Sequence, residues 1–267
     1  MNITLNGKPV STDCETLFEL RNRSFSDDCI TIINGFQTSC DMPLSDGDIV
    51  SIIKKGVMPS REELESMMAA RHTPQVHEKV KSARVAVCGL GGLGSNIAVM
   101  LARTGVGYLK LIDFDMVEPS NLNRQSYYVR HLGMFKSDAL CEQIRDINPF
   151  TEAVGITERI TEENAVKLLS DCDIICEAFD DPQAKAMLTE TVLSRLPEKK
   201  LVCGSGMAGF SSSNTIQTRR ITPSLYICGD LESAAKPGNG LMSPRVSVCA
   251  GHEANMILRL IMGIDEP

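Results

Sequence analysis

A glycine-rich turn between an apolar strand and an apolar helix constrains this chain more than any other feature. Residues 86–95 read Ala-Val-Cys-Gly-Leu-Gly-Gly-Leu-Gly-Ser, with Gly89, Gly91 and Gly94 at G-x-G-x-x-G spacing. The first backbone N–H groups of a helix are unpaired and carry partial positive charge, so such a turn can bind a phosphate. Gly91 lets the backbone approach the phosphates closely, and Gly94 lets the helix pack against the strand. The motif alone fits NAD, FAD or ATP, so other residues must distinguish these ligands.

Strands and helices alternate after this turn, and the alternation predicts a doubly wound, Rossmann-like α/β nucleotide-binding domain. The predicted strands are Val85–Cys88, Leu109–Asp113, Ala153–Ile156, Ile174–Ala178 and Leu201–Gly204. The predicted helices are Leu93–Thr104, Lys136–Ile147, Glu162–Leu169 and Pro182–Leu196, followed by an amphipathic helical segment from Val246 to Ile264.

Residues 1–55 predict a small domain of another kind in front of this one. Asn6-Gly7 and Asn34-Gly35 are two-residue hairpin signals. The order of hairpin, helix, strand, turn and strand is typical of a β-grasp (ubiquitin-like) domain. Residues 56–83 are interpreted as a linker and helices, one of them opened by a Ser60/Glu63 capping box. Residues 84–267 then form the nucleotide-binding domain.

Composition limits the classes of partner. A net charge of −7 over 267 residues argues against non-specific binding to nucleic acid or to an anionic membrane. The N-terminal residues lack the basic start and apolar core of a signal peptide, and no apolar run reaches transmembrane length. The sequence therefore predicts a cytoplasmic protein. Its ten cysteines form no C-x-x-C pair, which favours free buried thiols, with Cys88 in the core.

Charged residues beyond the turn distinguish among nucleotides. Asp113 follows Gly94 by nineteen residues, where a Rossmann-type domain places the carboxylate that binds ribose hydroxyls. A dense polar loop then runs from Asp115 to Gln125. Arg124 and Lys136, twelve residues apart, would place two cations near the phosphate turn. Two cations suit a triphosphate better than a dinucleotide, because they neutralise the charge that develops on leaving pyrophosphate.

These blocks together resemble the ubiquitin-activating superfamily, in its bacterial ThiF/MoeB/HesA branch, over residues 71 to about 262. Residues 1–55, with the Asp46-Gly47-Asp48 turn, resemble the sulfur carrier ThiS. The resemblance implies that the nucleotide is ATP and that one group of residues binds it. The group is Gly89, Gly91, Gly92, Gly94, Asp113, Asp115, Asn121, Asn123, Arg124, Gln125 and Lys136.

The resemblance also implies individual roles. Asp113 would hold the ribose, Arg124 and Lys136 would hold the triphosphate as catalytic cations, and Asp180 would bind magnesium. This chain reads Phe179-Asp180-Asp181 where relatives usually read Thr-Asp-Asn. Family members also use an arginine from a helix before the glycine strand, often on the partner subunit's nucleotide. Arg71 is the candidate here, with Arg61 in reserve.

The implied function is ATP-dependent adenylation of the C-terminal glycine carboxylate of a ThiS-like sulfur carrier, in thiamine thiazole biosynthesis. The implied partners are a carrier that ends in diglycine and a sulfur donor protein, and the implied assembly is a homodimer. The two C-x-x-C pairs of the family's structural zinc are missing, so no zinc is expected. Residues 230–242 contain no cysteine, so the sequence gives no support for covalent catalysis by this chain.

The ThiS-like domain cannot itself be the substrate in the intact chain, because its last strand continues through Lys54-Lys55-Gly56-Val57 without a terminal diglycine. We therefore expect a docking, dimerisation or regulatory role for it. Other functions stay open at this point. They are activation of a molybdopterin-type carrier or a tRNA base, a non-catalytic scaffold that binds nucleotide or carrier, and an NAD-dependent dehydrogenase, which the Asn-Leu-Asn-Arg-Gln loop disfavours.

Overall fold

A computed structural model describes residues 1–25, 28–72 and 74–267, and the chain divides into two compact units, Met1–Glu78 and Lys79–Pro267. Within the described residues, no helix combines the length and the apolar character that crossing a bilayer requires.

The N-terminal unit contains a five-stranded sheet in the order β2-β1-β5-β3-β4. Its helix α1 begins at a Thr16 cap, and its hydrophobic core includes Leu17, Val50 and Ile52. The two central strands, β1 and β5, are parallel, as a β-grasp domain requires. The elements are β1 (Asn2–Leu5), β2 (Lys8–Ser11), α1 (Leu17–Ser24), β3 (Cys29–Ile33), β4 (Phe36–Thr38) and β5 (Ile49–Lys54).

Both predicted hairpin turns are present in this unit, with Asn6 and Asn34 at φ of 49° and 50° and a glycine after each. The Asn6 side chain is buried and pairs with both backbone groups of Ile52, at 2.8 and 3.2 Å, which joins the turn to the central strand. The prediction missed β4. Only three residues long, it lies at the sheet edge, where sequence alternation is too short to detect.

Two helices follow the β-grasp sheet. Helix α2 (Arg61–Ala69) opens with the predicted capping box. The Ser60 side chain accepts the Glu63 backbone N–H, and the Glu63 side chain accepts the Ser60 backbone N–H. It ends two residues before Arg71. Helix α3 (Pro74–Ser82) comes next.

The second unit contains a seven-stranded sheet in the order β11-β12-β10-β9-β6-β7-β8. All neighbours pair in parallel except the edge strand β11, which is antiparallel to β12. The strands are β6 (Arg84–Cys88), β7 (Tyr108–Ile112), β8 (Glu152–Ile156), β9 (Ile174–Glu177), β10 (Lys200–Gly204), β11 (Gln217–Arg220) and β12 (Leu225–Gly229). The helices are α4 (Gly92–Thr104), α5 (Lys136–Ile147), α6 (Ala165–Leu169), α7 (Pro182–Arg195) and α8 (Ser243–Ile261).

Chain order reverses at β6, since β7 and β8 lie on one side of it and β9 on the other. Such a switch point leaves a crevice at the carboxyl ends of the strands, where ligands of doubly wound folds bind. The apolar run of β6 from Val85 to Cys88 is fully buried, as a parallel strand covered on both faces must be. The predicted doubly wound α/β class is confirmed.

Helices α6 and α8 and strands β11 and β12 differ from the sequence prediction, with α8 running from Ser243 to Ile261 and not from Val246 to Ile264. Helix α6 begins at Ala165 and not at Glu162, because Thr161 and Asn164 form a side-chain-bonded turn ahead of it. The β11–β12 pair was not predicted. Strand β11 reads Gln-Thr-Arg-Arg and gives no apolar signal, because it lies at the sheet edge.

A buried carboxyl group lies between helix α8 and the sheet. Glu253 is 0% exposed, and the thiols of Cys176 and Cys249 both lie 3.7 Å from its oxygens. Thiols are weak donors, so they compensate little for the lost hydration of a charge. Burial therefore raises the pKa of Glu253 well above its ordinary value.

We predict that this carboxyl group makes the fold less stable at alkaline pH. Because its pKa is raised in the folded state, the stability associated with the neutral form is complete below the unfolded pKa. That stability is lost as the pH rises through the folded pKa. Glu253→Gln keeps the shape and removes the titration. At pH 9 we expect the variant to melt at least about 2 °C above the wild type, with the difference shrinking toward pH 5.

Thermal melts followed by circular dichroism between pH 5 and pH 9 measure this effect. Glu190→Gln, which alters an exposed carboxylate on α7, is the matched control and should leave the pH profile unchanged. Parallel pH profiles for wild type and Glu253→Gln would contradict the interpretation.

Candidate active site

The turn from β6 into α4 has the geometry of a phosphate site. Gly89 has a φ of +88°, and a Cβ there would lie 2.9 Å from the carbonyl oxygen of Ala178. A Cβ on Gly94 would lie 1.8 Å from the carbonyl oxygen of Gly89, so helix and strand are too close for any side chain. Next to Gly91, by contrast, the nearest such atom is Gln125 Nε2 at 3.9 Å. The turn is therefore crowded on its inner side and open at the helix N-terminus, where a phosphate would bind.

Asp113 lies beside this turn at the end of β7. Its two carboxylate oxygens accept hydrogen bonds from the backbone N–H groups of Leu90 (2.6 Å) and Asp115 (2.8 Å). Burial raises the pKa of Asp113, although these bonds and the nearby Lys136 ammonium oppose the shift. The hydrogen bonds fix the carboxylate next to the glycine turn, which is the position expected of a ribose ligand.

Lys136 is the buried first residue of α5, and its ammonium group lies close to acidic side chains. Lys136 Nζ lies 2.9 Å from Asp115 Oδ2 and 4.0 Å from Asp113 Oδ2. The sequence interpretation grouped Lys136 with Arg124 at the triphosphate. In this structure Lys136 is paired instead with the carboxylates of Asp115 and Asp113, and its role at the triphosphate stays a prediction.

Arg124 and Gln125 approach the glycine turn from the polar loop. The Arg124 side chain runs past Gly92, with Cγ 3.6 Å from the position of a Cβ there, and its guanidinium donates to Ser120 and Asn123. Within the described residues, Arg124 Nε and the buried Gln125 Oε1 have no hydrogen-bond partner. Buried polar atoms without partners are costly, and at this turn they fit a site that a polar ligand completes.

Two predicted loop residues have structural partners. Asn121 Oδ1 accepts the Glu118 backbone N–H at 2.9 Å, and Asn123 Oδ1 accepts from Arg124 at 2.9 Å. Both shape the loop that presents Arg124 and Gln125.

Sequence reasoning missed the side chains that fasten this loop to α4. Ser95 Oγ accepts the Ser126 backbone N–H at 3.0 Å, and Asn96 Nδ2 donates to the Arg124 carbonyl at 3.0 Å. Asn96 Oδ1 also accepts from Ser126 Oγ at 2.9 Å. Small polar residues in the first turn of an otherwise apolar helix are the signal that could have revealed them.

Asp180 and Asp181 follow β9 and have different environments. Asp181 caps α7, accepting the Ala184 backbone N–H at 2.7 Å. Asp180 is exposed, and its carboxylate makes no hydrogen bond or ion pair with the part of the chain that the structure describes. One free carboxylate beside phosphate oxygens is a sufficient protein ligand for magnesium. The geometry thus fits the choice of Asp180 over Asp181.

Glu177 and Lys185 hold the backbone next to Asp180 in place, and sequence reasoning missed both. Buried Glu177 accepts the Phe179 backbone N–H at 2.7 Å, and Lys185 Nζ contacts Glu177 at 2.9 Å and the Gly204 carbonyl at 2.8 Å. Burial raises the pKa of Glu177, and Lys185 opposes this shift. The pair ties the carboxyl ends of β9 and β10 to the first turn of α7.

Arg71, the predicted trans-acting arginine, lies in the N-terminal unit, where its guanidinium donates to the Gln37 side chain. Its role at a nucleotide stays a prediction.

Residues 65–267 match the ThiF family, and residues 1–56 match the ThiS-like ubiquitin family. The chain is 30% identical to the sulfur carrier protein ThiS adenylyltransferase of Bacillus subtilis over 211 residues, 76% of this chain and 60% of that protein. It is 38% identical over 130 residues to the adenylyltransferase and sulfurtransferase uba4 of Aspergillus clavatus, covering 48% of this chain but only 26% of that protein.

A similar fold occurs in the tRNA N6-threonylcarbamoyladenosine dehydratase TcdA of E. coli, solved in complex with ATP. The TM-score is 0.68 at 24% identity, covering 78% of this chain and 97% of TcdA. E. coli MccB in complex with AMPCPP and MccA matches with a TM-score of 0.56 at 21% identity, covering 75% of this chain and 61% of MccB. The family matches and the doubly wound fold agree, and the chain belongs to the ThiF family, with a ThiS-like ubiquitin domain over its first 56 residues.

Proposed function

We propose that this chain uses ATP and magnesium to adenylate the C-terminal glycine carboxylate of a ubiquitin-like sulfur carrier. The observation that carries the proposal is the open helix N-terminus at Gly91, with the partnerless buried atoms of Arg124 and Gln125 beside it. Membership of the ThiF family supports it, as do the names of two relatives, which are adenylyltransferases.

The site residues divide the work of binding ATP. The first N–H groups of α4 hold phosphate oxygens, and Asp113 accepts hydrogen bonds from the ribose hydroxyls. Lys136 leaves Asp115 and, with Arg124, neutralises negative charge on the phosphates. Magnesium, held by Asp180 and phosphate oxygens, supplies further charge neutralisation when bound.

The reaction is an in-line displacement at the α-phosphorus. The carrier carboxylate oxygen forms a bond to phosphorus, the bond to the bridging oxygen breaks, and pyrophosphate leaves with that electron pair. The residues of this chain act by positioning and by charge stabilisation. Residues 230–242 contain no cysteine, so the proposed chemistry ends at the acyl-adenylate, which a separate sulfur donor protein consumes.

The carrier proposed is a ThiS-like protein, which would place the chain in thiamine thiazole biosynthesis. The ThiS-like ubiquitin domain and the Bacillus subtilis relative support this choice. The net charge of −7 counts against a tRNA substrate. The attached domain is not the substrate, since the chain continues beyond β5 through Gly56 into Val57 and leaves no free carboxylate there. Homodimerisation is proposed from family resemblance.

ATP–pyrophosphate exchange tests the function directly. We expect exchange with the protein, magnesium ATP and a purified ThiS protein that ends in diglycine. We expect none with the protein alone, or with ThiS lacking its last glycine. Exchange with a molybdopterin-type carrier in place of ThiS would change the carrier assignment. Absence of exchange with every diglycine carrier would contradict the adenylation proposal, and binding of NAD would favour a dehydrogenase.

The two adjacent aspartates make a matched pair for the metal role. Asp180→Asn should reduce exchange by about 100-fold and raise the magnesium concentration required, because a charged ligand is lost. Asp181→Asn should change exchange little, since asparagine caps helices as well as aspartate does. Equal effects of the two variants would contradict the metal assignment.

The ThiS-like domain is predicted to dock, dimerise or regulate. Deletion of residues 1–55 should therefore change carrier affinity, exchange rate or oligomeric state, without changing the ATP concentration for half-maximal exchange. Exchange assays, carrier titrations and sedimentation measure these quantities. If all three are unchanged in a folded deletion variant, the domain has none of these roles.

A further inference from the structure

Two loops leave the sheet at the same edge as the phosphate turn. Loop A, residues 205–216, follows β10, and loop B, residues 230–242, follows β12. Both strands run parallel to β9, as does β6, so the loops and the turn share the carboxyl edge. Four backbone hydrogen bonds join the loops: Ala208 to Ser233 (3.3 Å), Gly209 to Gly240 (2.8 Å), Asp230 to Gly206 (2.9 Å) and Leu231 to Ser205 (3.1 Å).

A buried ion pair joins the same loops to helix α8. Arg245, the third residue of α8, is 4% exposed, and its guanidinium donates to Asp230 of loop B. It also donates to three oxygens of loop A: the carbonyls of Ser211 (2.9 Å) and Ser212 (2.6 Å) and the hydroxyl of Thr215 (3.1 Å). One side chain thus bonds both loops at once.

Asp230 is held equally firmly. Its carboxylate also accepts the backbone N–H groups of Glu232 (2.9 Å) and Ser233 (2.8 Å) and the Ser233 hydroxyl. Burial disfavours its charge, but these hydrogen bonds and Arg245 outweigh burial and lower the pKa of Asp230 to about 2. Gly206 of loop A has no room for a side chain, since a Cβ there would lie 2.2 Å from Asp230 Oδ1. We call Arg245 and Asp230 the clasp.

The clasp is linked to the phosphate turn through the next residue of α8. Val246 Cγ1 lies 3.1 Å from the position of a Cβ on Gly92, the first residue of α4. Any shift of the start of α8 would therefore move the loops relative to the turn. The loops also present exposed apolar side chains at this edge, namely Phe210, Leu231 and Met242.

We propose that Arg245 and Asp230 are positioning residues that hold loops A and B so that the extended C-terminal end of the carrier reaches the α-phosphate in one orientation. This inference rests on the proposed function. The attacking oxygen must come within about 3–3.5 Å of phosphorus in line with the leaving group. If loops A and B are displaced, the carboxylate leaves this geometry and the rate of adenylation falls steeply. Neither Arg245 nor Asp230 is among the residues proposed above to bind ATP, so we expect the clasp to affect the kinetics of the carrier more than those of ATP.

Arg245→Met removes the charge while keeping an apolar stem. Asp230→Asn is a milder change that keeps the shape and a side-chain oxygen that can accept the backbone N–H groups of Glu232 and Ser233. Hydrogen–deuterium exchange should become faster in loops A and B in both variants. In steady-state ATP–pyrophosphate exchange with diglycine-ended ThiS, kcat/KM for the carrier should be reduced about 10- to 100-fold in both variants. The KM for ATP should stay within about threefold of the wild type. Arg245→Lys, which retains charge but not the forked geometry, should recover part of the loss.

Asp171→Asn is the matched control. Asp171 pairs with Lys110 and Arg84 at the opposite, amino-terminal edge of the sheet. This variant should leave both loops and the carrier kinetics unchanged at a comparable loss of thermal stability. Carrier kinetics that are unchanged in folded Arg245→Met, or that fall only in proportion to ATP affinity, would overturn the positioning role.

The outcomes also separate the clasp from the function. If the wild type shows no carrier-dependent exchange, the proposed function fails and the positioning role fails with it. If the wild type is active and the loops exchange deuterium at the wild-type rate in Arg245→Met and Asp230→Asn, only the clasp fails.

Discussion

The close approach of α4 to β6 is the constraint on which the rest of the second unit, Lys79–Pro267, depends. Gly94 lies so close to Gly89 that no side chain fits, and a Cβ on Gly89 would lie 2.9 Å from the carbonyl oxygen of Ala178. Helix α4, strand β6 and the end of β9 therefore meet at one point, where chain order reverses in the sheet. That meeting point leaves the N-terminus of α4 open, and the candidate ligands surround it. A larger residue at either glycine would separate these elements and distort the site.

Acidic side chains near the meeting point of α4, β6 and β9 have different environments when buried and when exposed. Two acidic groups beneath the surface have partners. Glu177 pairs with Lys185, and Asp113 accepts two backbone N–H groups and lies near Lys136. Glu253 is fully buried, its hydrogen bonds among the described residues come from thiols, and burial favours its neutral form although Lys185 opposes this shift. Asp180, at the surface, makes no hydrogen bond or ion pair among the described residues. The part of the site that meets solvent is thus the part free to exchange partners, while the charges beneath it hold the backbone in place.

The sequence predicted the elements that carry strong local signals. The glycine turn, the alternation that follows it, the hairpins at Asn6 and Asn34, and the Ser60 capping box all depend on neighbouring residues. It did not predict β4 and β11, which lie at sheet edges and lack an apolar pattern, or the interior strand β12, which is a short apolar run. Nor did it predict the contacts of Ser95, Lys185 or Arg245, because each pairs with residues distant in sequence. The pairing of Lys136 with Asp115 was missed for the same reason.

The attachment of the 121–127 segment to α4 through Ser95 and Asn96 has a thermodynamic consequence. Ordering a flexible segment costs roughly 1–2 kcal/mol per residue in backbone entropy. Here that cost is met when the protein folds, because the hydrogen bonds that hold the segment to α4 join atoms of the chain itself. Nucleotide association then requires no coupled folding of this segment, so its heat-capacity change should reflect surface burial alone and its on-rate should not be limited by loop closure.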